Sequence, residues 1–470
     1  MPDGRVFVAW DDGPLEPSPT WTRLDAPGGD FPDQFVSGYD VRVGRQSFLQ
    51  QTDTGTATVY VNDRAGLFDD RNNSSPYQGK LSGRQILLQL LNPVTMTWES
   101  QFRGRLNDYT YNIDGSAVNA DGDPINASIQ LDCVDMFDYL AGFGLTPGLA
   151  GVRPPVGGDD GVWYAGTSGS GHVHDRMVEI LTDAHIDPAM YVVASGNVTL
   201  QAVKYDPDQA ALVALRDAAD GEFPFLANIF CDRYGRFCFR GRYSSFYPDD
   251  VAAEPGSDWP FMRWPLGDGK AIQADPTRGQ LRTPFGYTRQ RSDIINVSTC
   301  YPANTPTARM VQQVFANVPS IDAYGEHTAP PMSDLLTDSF DNVSGNNKYE
   351  ECLAFAQLLV TNKKDPKETL TDVTLRSIHP DDDRAAATWG PLAGADISDI
   401  VNVAVGYPGG TGLAGDSPTD DYYIEGRELQ VRPLAGDASY NGMDDVTLKL
   451  NVSRALWKMD QTGIFPNPFA

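Results

Sequence analysis

The most constraining feature of this chain is an alternation of period two. In TGTATVYVND (54–63), Ala57, Val59 and Val61 fall on one side of an extended chain and Thr56, Thr58 and Tyr60 on the other. A half-buried strand fits that pattern and a helix does not. Similar segments recur on either side: RVFVAW (5–10), stopped by Asp12-Gly13-Pro14, then FVSGYDVRVGRQSF, RQILLQLL, WESQFRGRLNDYTYN and ASIQLDCVDMFDYL. RQILLQLL reads as a strand buried on both faces. RAGLFDDRNNSSPYQGKLSG reads as a loop rich in turn formers. At least five strands by about residue 140 predict a small barrel or sandwich.

Beyond residue 140 the pattern changes. Residues 141–170 are rich in Gly and Pro and read as a linker or surface loop. GHVHDRMVEILTDAHI then places Val173, Met177, Ile180, Leu181 and Ala184 on one helical face. A second helix is predicted from near Asp208 to Gly221, followed by a hairpin, FLANIFCDRYGRFCFRGRY, turning at Asp232–Gly235. Residues 171–245 thus form an α+β insertion. Residues 246–282 read as irregular, 294–301 as a strand and 302–345 as polar loop. YEECLAFAQLLVTN (349–362) is the clearest helix, with Tyr349, Cys352, Leu353, Ala356 and Val360 as its stripe. Four strands close the chain: ETLTDVTLRSI, SDIVNVAVGY, DDYYIEGRELQVR and DDVTLKLNVSRALW. The expected organisation is β-rich α+β: residues 1–140, a linker 141–170, an insertion 171–245, an irregular segment 246–345, and a helix plus a second β region 346–470.

Composition narrows function. With 470 residues, 41% hydrophobic and 21% charged, the chain can bury several cores. Its formal charge of −27 disfavours stable binding to nucleic acid or anionic lipid. Five widely spaced cysteines, Cys133, Cys231, Cys238, Cys300 and Cys352, read as packed free thiols and not as a disulfide scaffold. The N-terminus, MPDGRVFVAWDDGP, has no signal-peptide pattern, and no apolar run approaches the ~20 residues of a spanning helix. Synthesis in a cytosol is expected.

Candidate chemistry is sparse. His172-x-His174-Asp175 resembles a metal cluster, but side chains two apart on a helix diverge, so a solvated first turn is expected. The runs Asp381-Asp382-Asp383, Asp420-Asp421 and Asp444-Asp445 lack the spaced ligands of a calcium loop. NADGDPIN, with Asp121, Asp123 and Asn126, comes closer yet lacks the bidentate Glu. All four read as solvated turns. Gly169-Ser170-Gly171 is not a nucleophile elbow, and Gly409-Gly410-Thr411-Gly412 precedes no helix that would cradle phosphate. HExxH, Walker and CxxC motifs are absent from the sequence. Trp259, Phe261 and Trp264 could stack on sugar; packing or subunit contact is the preferred reading. No catalytic, cofactor-binding or metal-binding residue is assigned, and the chain does not read as an enzyme.

Residues 40–90 carry a more specific signal. Gly44-Arg45 ends one strand, Gly55 to Val59 form the next, and Gly66 to Asp69, Ser75-Pro76-Tyr77 and Gly83-Arg84 follow. This series resembles the N-terminal domain of minor tail proteins of actinobacterial siphophages, with Asp63-Arg64-Ala65-Gly66 in place of that family's Asn-Arg-Asp-Gly turn. The Asp232, Gly235, Arg236 turn and the closing segments IVNVAV, YYIEGRELQVR and VTLKLNVSR resemble the same family more loosely. The resemblance implies a baseplate-hub-like fold with two tube-forming β-barrels and peripheral insertions. It implies a virion protein at the tail tip that forms a homotrimer and presents a pseudo-sixfold ring to the hexameric tail. Expected partners are the distal tail protein, the tape measure and tip or fibre proteins, with DNA passing without stable binding and no membrane anchor. Alternatives are a hexameric distal tail ring, a tail-associated glycan hydrolase and a receptor-binding module. Longer relatives carry a lytic or fibre domain; the end at Ala470, shortly after the last strand, gives the expectation that none follows here.

Overall fold

The computed structural model describes residues 4–24, 34–46, 50–63, 66–75, 77–118, 124–145, 162–164, 173–195, 200, 203–206, 208–222, 227–241, 262–267, 271, 275, 277–282, 294–302, 313–329, 332–335, 350–365, 370, 372–405, 419–433 and 444–454. The first strands are β1 (Gly4–Ala9), β2 (Thr22–Arg23), β3 (Gln34–Gly44), β4 (Asp53–Asp63), β5 (Gln85–Asn92), β6 (Thr97–Val118) and β7 (Pro124–Val134). Alternation predicts β4 correctly: Ala57, Val59 and Val61 are buried, while Thr56 is exposed and Thr58 and Tyr60 half-buried. β5 is covered on both faces as expected: Ile86, Leu88 and Leu90 are fully buried on one, and on the other Gln85 and Leu91 are buried and Leu87 and Gln89 partly so. The loop after β4 is ordered by Asp63, which accepts from the N–H of Leu67 (2.9 Å) and Phe68 (2.8 Å). Phe68 and Tyr77 then pack on Trp10, with centroids 5.9 and 4.6 Å away. That contact gives the two aromatics of this segment a shared packing partner.

A second core lies around α1 (Met136–Gly142), α2 (Val173–Asp183) and α3 (Ala211–Glu222). The strands of this region are β8 (Val162–Tyr164), β9 (Tyr191–Val193), β10 (Val203–Tyr205), β11 (Asn228–Cys231) and β12 (Phe237–Arg240). Val173, Met177, Ile180, Leu181 and Ala184 are all fully buried, as the helical spacing requires. β11 and β12 form the expected hairpin, with Gly235 at φ +76° in its turn. Cys133, Cys231, Cys238 and Cys300 are free and buried; the side chain of Cys352 lies outside the described residues.

The segment read as irregular contains β13 (Arg263–Gly267) and β14 (Gly279–Gln280), and the polar stretch after it contains more structure than expected. There β15 (Val297–Pro302), the strand expected at 294–301, forms a small sheet with β16 (Gln313–Ala316) and β17 (Met332–Leu335), and α4 (Val318–Tyr324) follows β16. β16 and β17 are four residues each, too short to show a period. The chain ends with α5 (Glu350–Lys363), β18 (Asp372–Arg376), α6 (Ala385–Gly394), β19 (Ile400–Ala404), β20 (Thr419–Pro433) and β21 (Asp444–Arg454). Among the described residues no helix is long and apolar enough to cross a membrane.

The main sheet has thirteen strands and runs β14-β13-β19-β20-β3-β4-β7-β6-β5-β1-β2, with β21 also on β20 and β18 on β21. β20 therefore belongs to both ends of the chain. Along one edge its residues 422–433 pair with β21. Along the other, residues 419–423 pair with β19 and residues 426–431 with β3. The sheet curls around one core: the Tyr39 hydroxyl on β3 donates to the Gln89 carbonyl on β5 at 3.0 Å, although three strands separate them in the sheet order. The join between β3 and β20 is made glycine against glycine. Gly44 stands opposite Gly426 with φ +89°, and a Cβ on Gly44 would lie 2.4 Å from the Glu425 carbonyl oxygen. Gly13, by contrast, has nothing within 4 Å of a Cβ position. Gly44→Ala is expected to cost about 1–3 kcal/mol or more in chemical denaturation, while Gly13→Ala stays within about 0.5 kcal/mol. Equal midpoints for the two variants would show that the glycine join is not tight.

Candidate functional site

Where β3 meets β20, the two strand ends converge with β6, the β11–β12 turn and the segment after α6 on a group of buried charges. Arg45, directly after β3, donates from Nε to Glu425 Oε2 at 2.6 Å and from its N–H to the Glu425 carbonyl at 2.8 Å. Both side chains are 6% exposed. Ser453 on β21 donates to the other Glu425 oxygen. Two residues along β20, Arg427 crosses the core to β6. Its Nη1 donates to Gln101 Oε1 (3.0 Å), its Nη2 to the Gln101 carbonyl, and its Nε lies 3.8 Å from Asp396 Oδ1. Burial pushes the Arg427 guanidinium below its usual range, and Asp396 opposes that shift.

The hairpin turn closes the group from another side. Asp232 accepts from the N–H of Tyr234 and Arg236 and from Arg236 Nε, at 2.9, 2.8 and 2.8 Å, which fixes the turn read from the sequence. Arg233 is thereby aimed at the seam: its N–H donates to Asp396 Oδ2 (3.1 Å), its Nη1 to the Ala393 carbonyl (3.1 Å), and its Nη2 lies 3.3 Å from Glu99 Oε2. Gln101 Nε2 donates to the same Ala393 carbonyl at 2.8 Å. Asp399 accepts from Trp264 Nε1, the Asp396 N–H and the Met262 N–H at 3.1, 3.1 and 3.3 Å. Burial, reinforced by Asp396, raises its pKa to about 6. The arrangement is chemically a lock: most of its groups are spent on one another, and Arg427 Nε, which makes no hydrogen bond, has Asp396 at 3.8 Å. A cavity of about 20 Å³ nearby, lined by Gln85, Arg103, Arg105, Asp135 and Tyr139, has room for roughly one water.

The residues singled out from sequence do not gather at one place. Trp264 packs on α6, its ring 3.1 Å from a Cβ position at Gly394, and its indole N–H is used by Asp399; intrachain packing accounts for it. Trp259 and Phe261 lie outside the described residues, as do His172, Asp121, Asp123, Gly169-Ser170-Gly171 and the 409–412 glycine run; the side chain of Asn126 does too. His174 Nδ1 is 3.4 Å from Asp175 at the start of α2. Asp382 binds Arg384 through both oxygens, which lowers its pKa to about 2, and Asp445 binds Arg376 likewise. Asp420-Asp421 on β20 and Asp444-Asp445 on β21 correct the expectation of solvated turns, since both pairs lie in strands, and Asp421 is 3% exposed and held by Arg263 (2.7 Å) and Asn402 (2.5 Å). Among the described residues no three His, Cys, Asp or Glu side chains cluster as a metal site would. Sequence reasoning missed Arg427, Gln101, Asp396 and Asp399. The one available signal was that Gly44-Arg45 and Glu425-Gly426-Arg427 repeat a Gly-Arg pair at both partners of the join.

With this geometry in view, comparison with solved structures gives a likeness over the whole chain. The tail protein from Neisseria meningitidis MC58 aligns over 95% of this chain and 96% of its own, with TM-score 0.52 and 12% identity. The likeness is one of fold. The prophage MuSo2 43 kDa tail protein from Shewanella oneidensis (96% and 98% covered, 9% identity, TM-score 0.49) and the prophage tail protein gp18 from Listeria monocytogenes EGD-e (95% and 94%, 9%, 0.43) align more loosely, and no weight is placed on them. No family model and no curated protein matches the chain.

Two outcomes are expected. Arg427→Ala leaves Asp396 and Gln101 buried without their cation and should destabilise by about 3–5 kcal/mol. Arg427→Met with Asp396→Asn should cost less than the two single changes added together; additivity in denaturant titrations would dissolve the lock. The second concerns pH. Asp399, and Asp135 with a pKa raised by burial to about 7, bind protons in the folded state at a pH where the unfolded chain does not. Their stabilising contribution is full below the unfolded carboxylate pKa and is lost as pH rises towards 7. The melting temperature should therefore climb as pH falls from 7.5 to 5, and Asp399→Asn should flatten that slope.

Proposed function

We propose that this chain is a non-enzymatic structural component of a phage tail tip, forming the ring-shaped hub that closes the tail tube and lines the DNA exit channel. The observation that carries this reading is the end-to-end likeness of fold to the Neisseria tail protein, over 95% of this chain and 96% of that one. The sequence motifs support it, because Gly44-Arg45, Asp232 to Arg236 and Glu425 to Arg427 meet in one seam and are accounted for as fold-building residues.

In this reading residues 1–140 and 346–470 supply two tube-forming barrels, and 171–245 is a peripheral α+β insertion. The strand shared by both ends suits a rigid stave. Three copies would give a pseudo-sixfold ring that meets the distal tail protein, the tape measure and tip or fibre proteins. DNA would pass without being held, which a formal charge of −27 favours.

Native mass measurement of the purified full-length protein tests the ring. Assembly at three times the 51.3 kDa chain mass is expected. Six copies would favour a distal tail ring instead, and a monomer at every concentration would defeat both. Zymography on host cell wall should show no clearing; clearing abolished by one carboxylate substitution would replace this reading with a hydrolase.

A further inference from the structure

The outward face of the main sheet differs from the rest of the surface. It is continuous across β18, β21, β20, β3, β4, β7 and β6, because the residues facing away from the core stand opposite one another on successive strands. Arg376 faces Thr447, Lys449 faces Glu428, Glu428 faces Arg42, Gln430 faces Asp40, Asp40 faces Thr58, and Thr58 faces Asp132. Seven strands at the usual spacing make a wall roughly 29 Å wide. Because β20 joins both ends of the chain, the wall has no break at the seam.

Its described residues are mostly polar, with Val134 opposite Thr56 as an apolar exception. Among the described residues the exposed large hydrophobic side chains are Val94, Met96, Ile113, Val213, Tyr234, Met262, Val314 and Val318, and none projects from this face. Ile113 lies on β6 but pairs with Ala127 in phase with the core-facing residues Tyr111 and Tyr109. Four cations on the wall lie beside a carboxylate of a neighbouring strand, and Arg105 on β6 instead meets Asp138 on α1. Arg432 donates to Asp40 at 2.6 Å and Arg376 to Asp445 at 2.8 Å; Arg42 lies 3.8 Å from Glu428 and Lys449 3.9 Å from Asp372. Arg432 also covers the Tyr60 ring, 5.0 Å from its centroid. Asp108 and Asp132 face each other and add negative charge without a cation between them.

We infer that this face lines the path of double-stranded DNA and avoids holding it because Arg42, Arg376, Arg432 and Lys449 lie beside carboxylates of its own sheet. The inference rests on the tail-ring reading above. Duplex DNA binds proteins mainly through cations that replace its counterions. A wall whose cations already lie beside carboxylates offers it less of that exchange. The exposed Val94 and Met96 at the β5–β6 turn lie away from this wall.

Two measurements on the full-length protein decide it. Gln430→Cys and Thr56→Cys, both at exposed positions on the wall, are labelled with maleimide-gold and imaged by electron microscopy, with unsubstituted protein as the labelling control. Rings with gold in the bore are expected from both variants. Rings with gold on the outer rim overturn the assignment of the face and leave the ring intact; no rings overturn both. In the second, a short DNA duplex is titrated at low salt. Asp40→Asn with Asp445→Asn frees Arg432 and Arg376 and should tighten binding severalfold, with the gain lost at high salt. Arg432→Gln with Arg376→Gln should not tighten it. No gain in the first pair, or an equal gain in both, overturns the self-neutralising mechanism.

Discussion

The fold depends on β20 bonding to both ends of the chain at once. Its residues 419–423 complete the β13–β19 edge, residues 426–431 continue β3, and the register shift near Ile424 and Gly426 lets one strand serve both partners. A bulge adds local twist and redirects a strand. Here it also places Glu425 towards Arg45 and Arg427 towards Gln101 on neighbouring turns of the backbone. A strand that must satisfy two partners at different angles leaves little room for side chains at the crossing, which is why Gly44 and Gly426 face each other there.

Burying arginines and carboxylates at such a place is costly, and an apolar join of similar volume would often be at least as stable. What the charges contribute is directionality. Arg427 reaches two atoms of Gln101 and lies beside Asp396, while Arg233 addresses Asp396, Ala393 and Glu99 from the hairpin turn. An apolar contact could slide; this set of bonds is satisfied in one relative position of β6, β20, the hairpin and the segment after α6. A ring component has to present its contact surfaces at fixed angles, so a seam that resists sliding fits the role better than a merely adhesive one.

Much of the local structure was legible in the sequence. Alternation located β4 and its inward residues, spacing located the buried face of α2, and Asp232 with Gly235 marked the turn between β11 and β12. What was not legible has physical reasons. The parallel pairing of β13 with β19 joins residues more than a hundred apart, and no period in either segment records it. α6 carries Pro391 inside it, which argues against a helix on local grounds; packing of Trp389 and Leu392 in the core outweighs that penalty. Asp396, Asp399, Asp421 and Arg427 have the composition of surface residues, and burial reverses their meaning. The candidate site was thus visible only as a repeated Gly-Arg pair at positions 44–45 and 426–427, without the partners that give it a function.

The net charge takes on a more specific meaning once the side chains are placed. Read as a total, −27 says only that polyanions are repelled at a distance. Repulsion averaged over a molecule does not prevent adhesion, because a few unneutralised arginines in the path would each exchange with counterions of a passing duplex. Local pairing addresses that problem where the total cannot. On the wall of β18 to β6, Arg42, Arg376, Arg432 and Lys449 each lie within 4 Å of a carboxylate across a strand boundary, so the sheet register itself sets these cations beside carboxylates. The same hydrogen-bond ladder that makes the wall rigid therefore also governs how it meets a polyanion. The distribution of charge, fixed by strand pairing, carries more functional information than its sum.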